Sequence, residues 1–323
     1  MQTERNVLVI GATGKQARST IKFLLKPDEP ASQDIKFKVL ALTRDTSSAS
    51  ARQLLERNKE HAANISLVQG DLNKPDSIQR VFEDARSSDG RGIWGVFVVL
   101  AYPGLGESAD GEIRQGKLLA DLALEAQVKA FVYSSSIQVG PSKDDAVDNS
   151  HRGKVEIEEY CMGLGSKGLN WIIIRPGFFM ENFDGLLGAL AVSAMRAGLD
   201  KDTTITLIVS RISRTDPNYV CYILVAKFPK ASEDIGRVAA GVFWHHDQYL
   251  HKALAITSEV VTMEEISESY KRGTGEPIPA APALVGRVLL KLNAAVQNVY
   301  VTRDRKVWID ERSTDSFRSG WPR

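Results

Sequence analysis

Cysteine is nearly absent. Cys161 and Cys221 are the only two in 323 residues, and so wide a separation gives neither a metal-binding spacing nor a disulfide framework. Long apolar runs are missing as well. The longest, at 93–102 and 219–228, fall far short of the roughly 20 residues a membrane-spanning helix needs. Neither sign of charge dominates, because 41 basic residues face 40 acidic ones. That balance excludes the basic footprint of a nucleic-acid or anionic-membrane binder. Residues 1–5 are polar and run straight into an apolar segment, so no secretory leader is expected. Cytosol is the expected compartment, with the nucleus left open. Three of the five histidines (His245, His246 and His251) lie close together. No carboxylate or thiol completes a first shell around them at metal-ligating spacing, so they are expected to be surface or pocket-lining groups, and no metal site is expected.

What is present is an ordinary globular composition, 43% apolar and 25% charged, with no repeat, heptad or low-complexity run. Its length allows one large domain or two modest ones. Strand and helix patterns alternate along the first half. Apolar runs at Asn6–Ile10, Phe37–Leu42, Ile65–Val68, Val96–Leu100, Ala130–Ser135 and Asn170–Arg175 read as strands. Segments with helical spacing lie between them, near 15–25, 48–59, 75–85, 111–126 and 153–164. This rhythm predicts a doubly wound parallel sheet of the α/β Rossmann type, with its ligand crevice at the strand C-termini. From about 177 the pattern loosens. The expected division is a dinucleotide-binding domain over 1–176 and a smaller C-terminal α/β substrate or partner region over 177–323.

The first strand ends in a glycine turn, Gly11-Ala12-Thr13-Gly14-Lys15-Gln16-Ala17. A strand, a tight turn and a helix in this order bind a dinucleotide pyrophosphate. The glycines admit phosphate close to the backbone, and the helix start offers free N–H groups and a positive dipole end. The bland alternative is a merely structural turn. Strand two ends in Thr43-Arg44, where NAD-preferring sites usually place an acid. A guanidinium there suits a 2′-phosphate and hence NADP(H), although a solvated loop arginine is the simpler reading. Strand three ends in Gly70-Asp71-Leu72, where Asp71 can accept from an adenine amino group with Leu72 against the ring. An ordinary Gly-Asp turn would look the same. Strand four runs out through Leu100, Ala101 and Tyr102, placed to pass beneath a cofactor.

Taken together, GATGKQA at 11–17, LTR at 42–44, QGDL at 69–72, VYSSS at 132–136, KVEIEEY at 154–160 and RPGFFMENF at 175–183 resemble the NmrA-like family. That family is a branch of the atypical short-chain dehydrogenases/reductases. The last two blocks are the most specific, and the match runs through most of the chain. The resemblance implies a Rossmann fold that prefers NADP(H), with Gly11 to Gln16, Arg44, Asp71, Leu72 and Leu100 to Tyr102 as cofactor contacts. It also implies that Lys154 and the stretch Phe179, Met180, Glu181 and Asn182 lie near the nicotinamide end.

Short-chain reductases ordinarily place a tyrosine four residues before the lysine. The ammonium then lets the phenol exchange a proton with the substrate. Here Ser150 stands in that position. Tyr160 lies six residues past Lys154 on the same helix and is a poor substitute. Ser134, Ser135 and Ser136 end strand five, where a carbonyl-orienting serine would sit, but such a run also caps helices and turns. His151 is a weaker candidate acid. Glu156, Glu158 and Glu159 are expected to form a solvated helix face, and Arg175 to pair within the fold.

Two functions fit. One is an NADP(H)-dependent oxidoreductase acting on a small organic metabolite, with Lys154 as proton shuttle or electrostatic stabiliser. The other is a non-catalytic NADP(H)-binding redox sensor that regulates a transcription factor by protein contact. In either case Lys154 is also placed to hold ribose hydroxyls.

Residues 209–230 stand apart. In sequences this chain resembles, the segments flanking them nearly adjoin, with SEDIGRVAA opening a helix. The stretch has no helical period, and a structureless loop of that length is uncommon in a compact domain. Its opening Val-Ser can be encoded by a splice-donor-like GTAAGT, so a retained short intron is one explanation and a genuine hairpin insertion the other. Sequencing the mature transcript is expected to show these codons absent; an mRNA that carries them all makes the insertion genuine.

Overall fold

The computed structural model describes residues 3–27, 35–101, 107–136, 149–183, 185–198, 204–208, 231–256 and 259–292. In chain order the elements are β1 (Thr3–Val9), α1 (Lys15–Leu25), β2 (Ile35–Thr43), α2 (Ala49–Arg57), β3 (Ile65–Gln69), α3 (Pro75–Asp89) and β4 (Gly95–Val98). Next come α4 (Asp110–Glu125), β5 (Ala130–Ser134), α5 (Asn149–Gly165), β6 (Trp171–Pro176), β7 (Phe178–Phe179), α6 (Gly185–Gly198) and β8 (Thr204–Ile208). The described chain closes with α7 (Ala231–Trp244), β9 (Lys252–Ile256), β10 (Glu259–Thr262), α8 (Met263–Thr274) and α9 (Ala283–Leu292). The segment 209–230 lies outside the described residues.

Seven parallel strands form one sheet in the order β3-β2-β1-β4-β5-β6-β9. The doubly wound α/β architecture read from the sequence is what forms. Both faces of the sheet are covered, which explains why its strands read as continuous apolar runs instead of alternating ones. The side chains nevertheless alternate in space. Val7, Val9, Val39, Ala41, Phe97, Val132, Ile172 and Ile174 face α1, α2 and α7. Leu8, Ile10, Val96, Val98, Phe131 and Tyr133 face α3, α4 and α5. Strand order reverses between β1 and β4, the switch point at which a ligand crevice is expected in such a sheet.

The sheet is completed from beyond the boundary expected at 176/177. β9 pairs with β6, and α7 packs along α1 with Gly236 against the backbone of Ser19 and Thr20. A smaller sheet, β10-β8-β7, stands apart from it, and α9 packs on α6. Among the described residues no helix is long and apolar enough to cross a membrane, and no cluster of potential metal ligands forms.

His246 corrects the expectation of surface or pocket-lining histidines. Its ring meets Trp94 edge-on at 4.8 Å between centroids, and the Arg5 guanidinium lies 4.4 Å above the same indole. Its Nδ1 is buried without a partner. Burial lowers its pKa, with the Arg5 charge acting in the same direction and Asp247 opposing. In the unfolded chain histidine titrates near 6.5, so between the two pKa values the unfolded state binds more protons and stability must fall as pH drops. The urea midpoint is therefore expected to be lower at pH 5.5 than at pH 7.5. In His246→Gln that step should shrink; a step of unchanged size would assign it elsewhere.

Candidate active site

The C-terminal ends of the parallel strands share one edge, so residues far apart in the chain converge there. β1 leaves the sheet at Ile10, whose N–H donates to the Phe97 carbonyl at 2.8 Å. Gly11 then turns with φ +69°, and a Cβ there would lie 2.6 Å from the Val99 carbonyl oxygen. Only glycine fits, for both conformation and space. Gly14 caps α1 with its backbone alone. No side chain caps this helix and no acid occupies its first turn. The first-turn N–H groups and the positive dipole end are thus left for an anion. Ala12 and Ala17 are buried beneath the turn, whereas Gly11, Gly14 and Lys15 are exposed at its surface and Thr13 and Gln16 are half-buried. The turn fits a pyrophosphate.

Arg44 is exposed beyond β2, and its guanidinium has no hydrogen bond or ion pair among the described residues. Its carbonyl accepts from Gln69 Nε2 at 3.2 Å, which ties the ends of β2 and β3 together. Asp71 is partly engaged in its own turn, with Oδ1 accepting from the Asn73 N–H at 3.0 Å. Leu72 is half-buried beside it. Leu100 turns its side chain into the α3–α5 core, while Ala101 is exposed. Any ligand contact at position 100 therefore falls to the backbone. Tyr102 lies outside the described residues, as do the side chains of His151, Met180 and Glu181. Phe179 is half-buried and packs on Ile235, as Ile256 does, and Asn182 is exposed.

Ser134 is buried, and its hydroxyl donates to Gln16 Oε1 at 2.8 Å. This bond links the end of β5 to the first turn of α1. Ser134 is thereby used within the protein, and the Ser135 hydroxyl is buried beside that of Tyr133.

Lys154 projects from the first half of α5 and donates to Glu112 Oε1 at 2.7 Å. Its side chain is 17% exposed and that of Glu112 only 1%. Glu112 was not singled out from the sequence, where an acid in a helix's first turn reads as a solvated partner of the dipole. A signal was nonetheless there. Glu112 falls in phase with Gly116, Leu119, Ala120 and Ala123, the buried stripe of α4, so a carboxylate occupies an apolar face.

Glu158 corrects another expectation, since it is not on a solvated face. Its carboxylate is 1% exposed and bound by Arg175, with Nε at 3.2 and 3.0 Å from the two oxygens and Nη2 at 2.5 Å. Arg175 thus pairs within the fold as expected. Tyr160 gives its hydroxyl to Asp121 at 2.8 Å, which holds it across the α4–α5 seam. Burial, helped by the Glu158 and Asp121 charges, pushes the Cys161 thiol up to about 12, so it is no nucleophile.

A parallel seven-stranded sheet with an uncapped glycine turn at its switch point defines a Rossmann-type dinucleotide fold. The chain belongs to the NmrA-like family, whose model matches residues 3–299. It is 27% identical over 288 residues to the NmrA-like family domain-containing oxidoreductase ptmS of Penicillium ochrochloron, covering 88% of this chain and 77% of that one. Its fold is similar to that of Citrobacter sp. triphenylmethane reductase, solved in complex with NADP(H), with a TM-score of 0.58 at 14% identity over 98% of this chain and 96% of the other. It is also similar to the NADPH-dependent quinone oxidoreductase of Escherichia coli, at TM-score 0.57 and 16% identity over 97% and 89% of the two chains.

Proposed function

We propose that the protein is an NADP(H)-dependent oxidoreductase that acts on a small organic molecule, with Lys154 in place of the usual tyrosine as the proton-handling group. The observation that carries this reading is the Lys154 ammonium, mostly buried and fixed at 2.7 Å by Glu112. It stands on α5, and the Ser134–Gln16 bond joins the serine-lined end of β5 to the glycine turn. Ser150 offers no phenol at the usual position. That the curated relatives are oxidoreductases of the same family supports the same reaction class here.

In this reading the backbone of Gly11, Ala12, Thr13, Gly14, Lys15 and Gln16 holds the pyrophosphate, and Arg44 holds the 2′-phosphate. Asp71 and Leu72 receive the adenine, with Leu100, Ala101 and Tyr102 beneath the dinucleotide. Phe179, Met180, Glu181 and Asn182 border the nicotinamide end. The bound dinucleotide supplies the hydride. Lys154 Nζ supplies a proton to the substrate atom that gains negative charge, and the one N–H left beside that given to Glu112 can hold a ribose hydroxyl. The parts of 177–323 outside the large sheet and α7 shape the substrate side.

The missing tyrosine equally suits a protein that binds NADP(H) without turnover, and one experiment separates the two. Purified protein is titrated with NADPH, NADP+, NADH and NAD+, then assayed for substrate-dependent NADPH oxidation. Binding with no consumption by any compound or extract tested overturns the enzymatic reading and leaves the sensor.

Cofactor choice is tested by Arg44→Asp, which removes the guanidinium and puts a carboxylate where an anion must sit. NADPH affinity is expected to fall by about 1.5–3 kcal/mol, the range for a charged hydrogen bond, with NADH changing less. Equal losses for both would show that Arg44 does not read the 2′-phosphate.

A further inference from the structure

Glu112 is a carboxylate where the fold does not require one. It is the third residue of α4, where the helix dipole favours an anion, and its Oε1 accepts the Lys154 ammonium at 2.7 Å. Its Oε2 is buried with no hydrogen-bond partner. Two more polar atoms at the end of the neighbouring β5, the Tyr133 hydroxyl and Ser135 Oγ, are buried with no partner but each other. Burial, with the Glu112 and Glu158 charges adding to it, pushes the Tyr133 phenol well above its ordinary range, so it stays a neutral donor.

The helices are shaped to bring this pair together. Gly153, the residue before Lys154, carries no side chain where α5 crosses α4. A Cβ there would lie 2.7 Å from Ala109 Cβ and 3.8 Å from Glu112 Oε2. Any larger residue would push α5 away from the carboxylate. A buried ion pair is in general a poor source of stability, since apolar residues of similar volume do as well or better. An acid kept in an apolar stripe, with one oxygen uncommitted, is better explained by what it does to Lys154.

We propose that Glu112 is the positioning residue for Lys154: it fixes the direction of the ammonium, so that Nζ presents an N–H to the strand ends. Its role in turnover rests on the oxidoreductase reading above; its hold on Lys154 does not.

The test is therefore read in two ways. Without cofactor or substrate, the intact protein is treated with trinitrobenzenesulfonate and labelling of Lys154 is followed by peptide mass spectrometry. Held by Glu112 at 2.7 Å, Nζ is kept from swinging out to a bulky reagent. Glu112→Gln is thus expected to speed Lys154 labelling severalfold while other lysines keep their rates. Should that variant not fold, Glu112→Asp carries the test, with an intermediate rise because its shorter carboxylate retracts from Nζ. An unchanged rate in a folded variant overturns the proposal.

With menadione as hydride acceptor and NADPH as donor, Glu112→Gln is expected to lower kcat ~10-fold or more, by loss of an aligned proton donor, with KM for menadione and NADPH affinity within about twofold. In the Lys154→Ala background the same change should cost almost nothing, because the two residues act through one proton. Additive losses would overturn the coupling. A wild-type protein that consumes no NADPH, yet shows the labelling effect, would fail the oxidoreductase reading and leave Glu112 as the residue that holds Lys154.

Discussion

Lys154→Ala is expected to lower substrate-dependent NADPH oxidation ~10²–10⁴-fold, the range for loss of a positioned general acid. NADPH should still bind, because the glycine turn and Arg44 lie on β1, α1 and β2, away from α5. Lys154 is also the only hydrogen-bond partner of Glu112 among the described residues. Its removal leaves a 1%-exposed carboxylate without its counter-charge. Breaking a fully buried pair costs about 3–5 kcal/mol; the partial exposure of Lys154 and the favourable helix dipole place the loss here at about 2–3 kcal/mol. Stopped-flow turnover, NADPH fluorescence titration and urea unfolding read the three effects separately. Unaltered turnover would eliminate the lysine-centred mechanism. Unaltered stability would show that water replaces the ammonium freely and that the pair is less enclosed than its burial implies.

Arg175→Ala is expected to be the more damaging change to the fold. The guanidinium binds both oxygens of Glu158 from the end of β6, and so clamps α5 to the sheet just below Lys154. Without it, a 1%-exposed carboxylate loses its bidentate counter-ion, at a cost of about 3–4 kcal/mol. Because α5 carries Lys154, activity should fall along with stability. A double change to apolar residues of similar size, Arg175→Met with Glu158→Leu, should recover most of the stability, since it removes the desolvated charges together. Urea unfolding of wild type and both variants decides it. A double variant as unstable as Arg175→Ala would mean that the pair fixes the packing of α5 and is not merely balancing its own desolvation.

The sequence by itself determined the layer order and the glycine turn. Parallel strands buried on both faces must be nearly continuous apolar runs, and each run was bounded by turn residues. α1 was readable to the residue, from Lys15 to Leu25, because Gly14 precedes it and its apolar positions follow one helical stripe. Cofactor-type residues at strand ends were readable for the same local reason: parallel strands put all their C-termini on one edge.

Only the tertiary structure decided which charges are buried. Glu158 sits among Glu156 and Glu159, and nothing in that acidic run marks it as the one facing inward to Arg175. Glu112 is buried because α5 closes over it, which the missing side chain of Gly153 allows. His246 looked like a surface ring until Trp94 and Arg5, distant in sequence, enclosed it. The return of β9 and α7 to the large sheet was equally hidden, because a strand's partner is set by the whole sheet's topology and not by its own five residues. Local pattern fixes which elements form and which residues parallel strands bring to one edge. The protonation and pairing of a buried side chain depend on contacts with distant segments, and those exist only once the chain has folded.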